Sequence, residues 1–301
     1  MNCTRRSLLK SGAGFLACGT AAARTRWSED RLGIFCHLGS DEASARKTLA
    51  AAREAGFRTA QISFPWTKVG DAYLKALPRW LEAEGVKAGV LSAYVNCCRP
   101  ETVIMDCRRE DFEKAIETAG SLGCRHLVAW TGGHAPDLMK PDARNFTPQA
   151  EEAIVRFVDA HAKRLRKAHL VLALETYITL ACPDAASLRK VLNRLPENVG
   201  AVLDPPNLTP VENFEQRDRV LREIVTTLGS RVAVIHLKDF SLAPDGRGYL
   251  LPGPLHGAMN YPLYAELILS LPASIPVIAE HLKPDEFAEA RRRLLPVFAR
   301  Q

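Results

Sequence analysis

The sequence has none of the cysteine patterns that would staple a small domain or build a zinc finger. Its eight cysteines include no CxxC pair and show no zinc-ligand spacing. No apolar run is long enough to cross a bilayer, and there is no linker, charged tail or low-complexity tract. No basic cluster interleaved with aromatics occurs, which argues against a nucleic-acid binder. No GxGxxG loop follows the first apolar run, which weighs against an open dinucleotide-binding sheet. What remains is an ordinary globular composition over 301 residues, 47% hydrophobic and 25% charged, long enough for a large core.

The first 23 residues differ from the rest. "TRRSLLKSGAGFLACGTAAA" pairs Arg5 with Arg6, continues through a short Gly- and Ala-rich apolar region, and ends on Ala21-Ala22-Ala23. This is the layout of an export signal, and "TRRSLLK" fits the twin-arginine pattern. The expectation is a signal peptide over 1–23, a mature chain over 24–301, use of the twin-arginine translocation machinery and a periplasmic location. A lipid anchor on Cys18 is the lesser reading. Removing the segment takes Arg5, Arg6 and Lys10 and lowers the net charge from +6 to +3. Proteins on this route are exported folded, so Cys36, Cys97, Cys98, Cys107, Cys124 and Cys182 are expected to be free thiols, mostly in the core.

From residue 31 onward short apolar runs alternate with amphipathic ones. Strands are expected at 31–38, 57–64, 87–94, 125–132, 169–176, 199–206, 232–239 and 275–282. Helical patterns follow each of them, with Asp, Ser or Thr starts and Gly stops among them, as at Gly56, Gly85 and Gly123. Thr147 with Pro148 marks one start clearly. Eight such units in a chain of this length predict the α/β class and a single-domain (β/α)8 TIM barrel.

A barrel gathers the C-terminal ends of its strands at one face. Strands five to eight end alike: "VLAL" runs into Glu175, "GAVL" into Asp204, "VAVI" into His236 and "PVIA" into Glu280. Each residue alone has an ordinary explanation, such as a helix cap, a turn before Pro205-Pro206 or a core histidine. Four in one register on consecutive strands point to a common purpose. Three converging carboxylates repel unless protonated or neutralised. A divalent cation held by Glu175, Asp204, His236 and Glu280 resolves this. The oxygen-rich set favours Mn2+, with Mg2+, Co2+ or Zn2+ as alternatives.

On these residues the chain resembles the sugar phosphate isomerase/epimerase superfamily, the xylose isomerase-like TIM barrels, over about residues 31–301. "LALET", "VLDPPN", "VIHLKDF" and "VIAEH" match the segments that carry that family's four metal ligands, and "LLPGPLHGAMNY" stands where its Gly-rich loop lies. The chain departs at Asn207, where several branches have a second histidine, and at His256, where the loop often carries an acid. Its eight histidines are too few for the three-zinc DNA-repair branch. The resemblance implies a carbonyl gripped by the metal, proton abstraction by Glu175 or Glu280 to a cis-enediolate, and return of the proton by the other. Such barrels are often homodimers.

Lys238, two residues past His236, is expected to meet a substrate oxygen or the enediolate charge. His37, Trp130, His134, Asn207 and His256 are further substrate-contact candidates, with Tyr177 weaker. Asp239 faces away and orients a neighbour; His161 and His169 have no expected role. The expected activity is isomerisation or epimerisation of an unphosphorylated sugar or keto-sugar. A dehydratase or lyase on a keto-sugar or 3-dehydroshikimate-like substrate is the alternative, and a sugar-binding protein on a decayed barrel is the non-enzymatic one.

Overall fold

The computed structural model describes residues 27–299. The export pattern over 1–23, with its arginine pair and Cys18, lies outside the described residues. Eight strands close into a parallel barrel: β1 Leu32–His37, β2 Thr59–Ser63, β3 Lys87–Asn96, β4 His126–Trp130, β5 Val171–Glu175, β6 Val199–Leu203, β7 Val232–Leu237 and β8 Val277–Ala279. Each pairs with its sequence neighbours, and β1 closes the ring on β8. The α/β single-domain barrel read from the sequence is the fold. Its helices are α1 Glu42–Glu54, α2 Asp71–Glu84, α3 Arg109–Ser121, α4 Pro148–Lys167, α5 Ala185–Leu192, α6 Arg217–Leu228, α7 Tyr261–Leu269 and α8 Phe287–Ala299. A short turn of helix, Pro205–Leu208, and a small two-stranded ribbon of Ser241–Leu242 with Tyr249–Leu250 are additions in the loops.

The helix ends follow the capping chemistry. Asp41, Thr147, Asp184 and Asn260 each accept a hydrogen bond from the third backbone N–H of the following helix. Such bonds satisfy donors that the helix itself leaves free.

Two apolar layers hold the barrel. The larger lies between the strands and the surrounding helices. The smaller includes Val90, Tyr94, Val128, Ala173, Val202, Val234 and Ile278, with Phe35 and Trp130 against it, and fills the interior of the barrel. The inward row has a period of two. Ala173 leads to Glu175, Val202 to Asp204, Val234 to His236 and Lys238, and Ile278 to Glu280. The register supports this, since Ile278 pairs with His236 and Val202 with Val234. The interior apolar layer is therefore the floor on which the ionisable residues stand. All six cysteines of the described residues are buried and free.

At the upper rim, Asn96 stitches β3 to β4. Its amide donates to the Gly133 carbonyl at 2.8 Å and its oxygen accepts from the Gly133 N–H at 3.1 Å. Gly132 makes room for this, with φ of +80° and no space for a Cβ beside the Asn96 side chain. Gly132→Ala should cost about 1–3 kcal/mol, seen as a fall of several degrees in Tm by calorimetry. Gly85→Ala is the control: its φ is also positive, at +63°, but nothing lies within 4 Å of the added carbon, so its cost should be smaller.

Candidate metal centre

Glu175, Asp204, His236 and Glu280 meet at the C-terminal mouth of the barrel. Each offers one ligand atom, and these atoms all lie within 4.8 Å of one another. Two ligands at about 2.2 Å from a shared ion span at most about 4.4 Å, so slight contraction suffices. All four are buried, His236 completely.

The donors are left open. Glu175 Oε2, both Asp204 carboxylate oxygens, His236 Nδ1 and Glu280 Oε1 have no hydrogen-bond partner. Buried polar atoms in native proteins are almost always satisfied, and each orphan costs about 1–3 kcal/mol or more when charged. Glu175 Oε2 and Asp204 Oδ1 have no partner of any kind, while Asp204 Oδ2, Glu280 Oε1 and His236 Nδ1 have only ion-pair contacts, and this convergence fits a bound cation. Lys238 Nζ lies 2.7 Å from Asp204 Oδ2 and 3.0 Å from Glu280 Oε1, but neither contact has hydrogen-bond geometry.

The charges are strongly interdependent. Burial alone would lower the pKa of His236, yet the Glu280, Glu175 and Asp204 carboxylates outweigh it and push it up to about 10. Burial likewise opposes the Lys238 charge, and Asp204, Glu280 and Glu175 hold it well above the ordinary lysine range. Burial would raise Glu280, but His236 and Lys238 hold it down at about 2. Without a metal, two side-chain cations must cover three carboxylates.

His236 is oriented from behind by a residue that the sequence reading missed. Its Nε2 lies 2.9 Å from Gln61 Oε1, while Gln61 Nε2 donates to Ser92 Oγ at 3.0 Å and to Tyr94 Oη at 3.1 Å. With the amide held that way, Nε2–H donates to Gln61 and Nδ1 is left to face the carboxylates. This pairing orients a ligand and sets its tautomer. The sequence signal was a lone buried amide, Gln61, in the middle of an apolar strand. Tyr264 Oη donates to the backbone carbonyls of Leu203 and His236, at 3.1 and 3.0 Å, and fixes the ends of β6 and β7 beneath their ligands.

A cavity of about 1110 Å³ opens above the cluster. Glu175 and Glu280 reach its wall, whereas Asp204 and His236 lie beneath it. His37, Trp130, Asn207, Lys238, His256 and Tyr177 all line the cavity. Asn207 is buried and donates to Glu175 Oε1 at 3.2 Å, so it orients that carboxylate as well as facing the cavity. Lys238 is 2% exposed and stands inside the cluster rather than on a solvated rim. His256 is exposed at the outer edge, 3.0 Å from an Arg293 nitrogen.

His134 does not line the cavity. The positive φ at Gly132 redirects the chain, the His134 ring stands 3.7 Å from Cys98 Sγ, and the His134 backbone N–H donates to Asn145 Oδ1 at 2.7 Å. Asp239 points away, as expected, and accepts from the Phe240 and Met259 N–H groups at 2.8 Å each, pinning the loop that carries His256. His161 packs within α4 between Phe112 and Phe157. His281 is a second residue missed. It follows Glu280 at a φ of +59°, reaches the cavity wall and bonds the Leu251 carbonyl at 2.7 Å.

Two predictions follow from this geometry. Gln61→Leu leaves the ring of His236 unheld and should weaken binding of a titrated divalent metal about 10–100-fold, as read by calorimetry, with the fold retained by circular dichroism. Lys238→Met removes one of the two cations from the metal-free cluster. It should cost about 3–5 kcal/mol in denaturant unfolding, and added Mn2+ should restore a large part of that loss.

No curated protein sequence matches the chain. Among solved structures, a xylose isomerase domain protein from Planctomyces limnophilus is 16% identical, with a TM-score of 0.64 over 92% of this chain and 98% of that one. A xylose isomerase-like TIM barrel protein from Mycobacterium smegmatis in complex with magnesium is 18% identical, with a TM-score of 0.60 over 86% and 89%. The 3-keto-D-glucoside 4-epimerase of E. coli is 14% identical, with a TM-score of 0.63 over 90% and 99%. These likenesses show the fold. The family model of the xylose isomerase-like TIM barrel matches residues 49–296, and the chain belongs to that family.

Proposed function

We propose that this protein is a divalent-metal-dependent isomerase or epimerase of an unphosphorylated sugar or keto-sugar. The observation that carries the reading is the set of five buried ligand atoms without hydrogen bonds, from four residues, converging beneath a large cavity. The likeness to an enzyme titled 3-keto-D-glucoside 4-epimerase agrees with it. Three carboxylates and one imidazole suit Mn2+ best, with Mg2+ and Co2+ close behind.

A cation held by Glu175, Asp204, His236 and Glu280 supplies Lewis-acid polarisation of a substrate carbonyl, which acidifies the neighbouring C–H. The residues of the chain do the rest. Glu175 and Glu280 both present carboxylates to the cavity. One removes the proton from the carbon beside the carbonyl, leaving an enediolate, and the other returns a proton. The hydrogen bond from Asn207 holds the Glu175 carboxylate in place. The Lys238 ammonium, forced to stay charged by its acidic neighbours, stands beside Glu280 to meet the developing oxyanion. Phe35, Leu180 and Leu282 add apolar wall to the same cavity. Return of the proton to the other face of the same carbon gives the epimer, and return to the former carbonyl carbon gives the isomer.

The sequence carries no obvious Gly-rich phosphate cradle, which favours an unphosphorylated substrate. On the N-terminal arginine pair we further propose export by the twin-arginine machinery to the periplasm.

The test is proton exchange. The metal-loaded protein, incubated in D2O with a panel of ketoses and keto-glycosides, should place deuterium on the carbon next to the carbonyl, as followed by NMR. Glu175→Gln and Glu280→Gln, each checked for metal occupancy, should slow exchange by about 10²–10⁴-fold. Exchange at the wild-type rate with Gln at both positions would contradict the mechanism.

A further inference from the structure

The cavity has two chemically different halves. Its floor carries Glu175, Asn207, Lys238 and Glu280. Its outer wall carries Val103, Met105 and Met139, exposed by 54%, 55% and 55%, together with half-buried Trp130. Three aliphatic or thioether side chains left half in water around one opening are not surface noise, because they line the same concavity as the polar floor. A free sugar has little apolar surface to cover them. The volume of about 1110 Å³ also exceeds the roughly 300–1000 Å³ of pockets that hold drug-sized ligands.

The backbone at Met105 makes the same point independently. Ile104 and Cys107 exchange both N–H···O bonds, at 3.2 and 2.9 Å, so Met105 and Asp106 form the two-residue turn of a small hairpin. Both have positive φ, at +45° and +55°. Asn-Gly or Asp-Gly ordinarily fills such a turn, and a bulky side chain there is strained. The surroundings enforce the strain: Lys68 Nζ pairs with Asp106 Oδ2 at 3.0 Å, and the Thr67 N–H donates to the Asp106 carbonyl. The result sets the Met105 sulfur 3.0 Å from the Trp130 indole nitrogen, at the cavity wall. Strain that neighbouring residues enforce is characteristic of ligand clamps.

We infer that Met105 and Trp130, with Val103 and Met139, form a subsite for an apolar group carried by the substrate, so that the protein acts on a sugar bearing an aromatic or similarly apolar aglycone. This rests on the sugar reading of the floor. The thioether and indole cover a flat ring well, while the floor takes the polyol.

The experiment is calorimetric binding to the full chain with Mn2+ present, using phenyl β-D-glucopyranoside, methyl β-D-glucopyranoside and benzyl alcohol as probes. The phenyl glucoside should bind about ten- to a hundredfold more tightly than the methyl glucoside. Met105→Asn, which suits the left-handed turn, should raise Tm and yet reduce that preference to about threefold or less, with methyl glucoside binding unchanged. A purely structural Met105 would give the gain in Tm without the loss of preference, and that result overturns the subsite. Equal affinity of the two glucosides in the wild type also overturns it. If benzyl alcohol binds as tightly as the phenyl glucoside and loses affinity in Met105→Asn, the apolar pocket stands while the sugar half of the inference, and the sugar reading on which it rests, fall. A wall covered by a second copy of the chain would appear as a dimer by light scattering that Met105→Asn dissociates, with no phenyl preference, and would overturn the inference too.

Discussion

Three carboxylates packed beneath one cavity, within reach of one imidazole nitrogen, set the terms for everything else at this end of the barrel. Like charges at that distance, shielded from water, are unfavourable by several kcal/mol unless a cation stands among them. The chain supplies Lys238 and a protonatable His236, and their titration is displaced to follow the acids. That arrangement offsets only part of the charge: Glu175 Oε2 and Asp204 Oδ1 keep no partner, and Asp204 Oδ2, Glu280 Oε1 and His236 Nδ1 have ion-pair contacts alone. Buried carboxylates whose oxygens converge on one point with few hydrogen bonds could hold a metal ion. The supporting contacts agree. Gln61 aims the imidazole, Asn207 holds Glu175, and Tyr264 ties the ends of the two strands that carry Asp204 and His236.

The barrel makes this arrangement inexpensive. Strand periodicity places every second residue on the inner face, so an apolar interior residue automatically stands below each ligand. The same period carries Lys238 one step above His236. The fold thus turns a one-dimensional spacing on four strands into a three-dimensional cluster without special loops. The loops then supply what differs: the turn at Met105, the Asn96 stitch across Gly132-Gly133, and the His256 loop anchored by Asp239.

This division explains what was legible in the sequence. Parallel strands buried on both faces read as short apolar runs, so the eight barrel strands could be placed, with errors only at their ends. Strand eight shrank to Val277–Ala279 and strand three ran on to Asn96. The four cluster residues were legible because each interrupts an apolar run at its last step. Gln61 was not, since one amide inside a strand carries no local sign of its partner 175 residues away. Counting past β4 put His134 near the cavity, but the left-handed turn at Gly132 sends it behind the wall. The hairpin at Met105 was hidden for the opposite reason. It is made by Met-Asp in a conformation that sequence rules reserve for Asn-Gly, so only the backbone reveals it.

The central claim is that Glu175, Asp204, His236 and Glu280 bind one divalent cation. Native mass spectrometry with elemental analysis on the purified protein tests it most directly, with His236→Ala prepared alongside. The account predicts about one Mn2+, or a divalent ion of similar chemistry, per chain, lost in His236→Ala while the barrel stays folded. A protein that remains metal-free after incubation with Mn2+, Mg2+, Co2+ and Zn2+ in turn, or that binds metal equally well without the His236 ring, would contradict it.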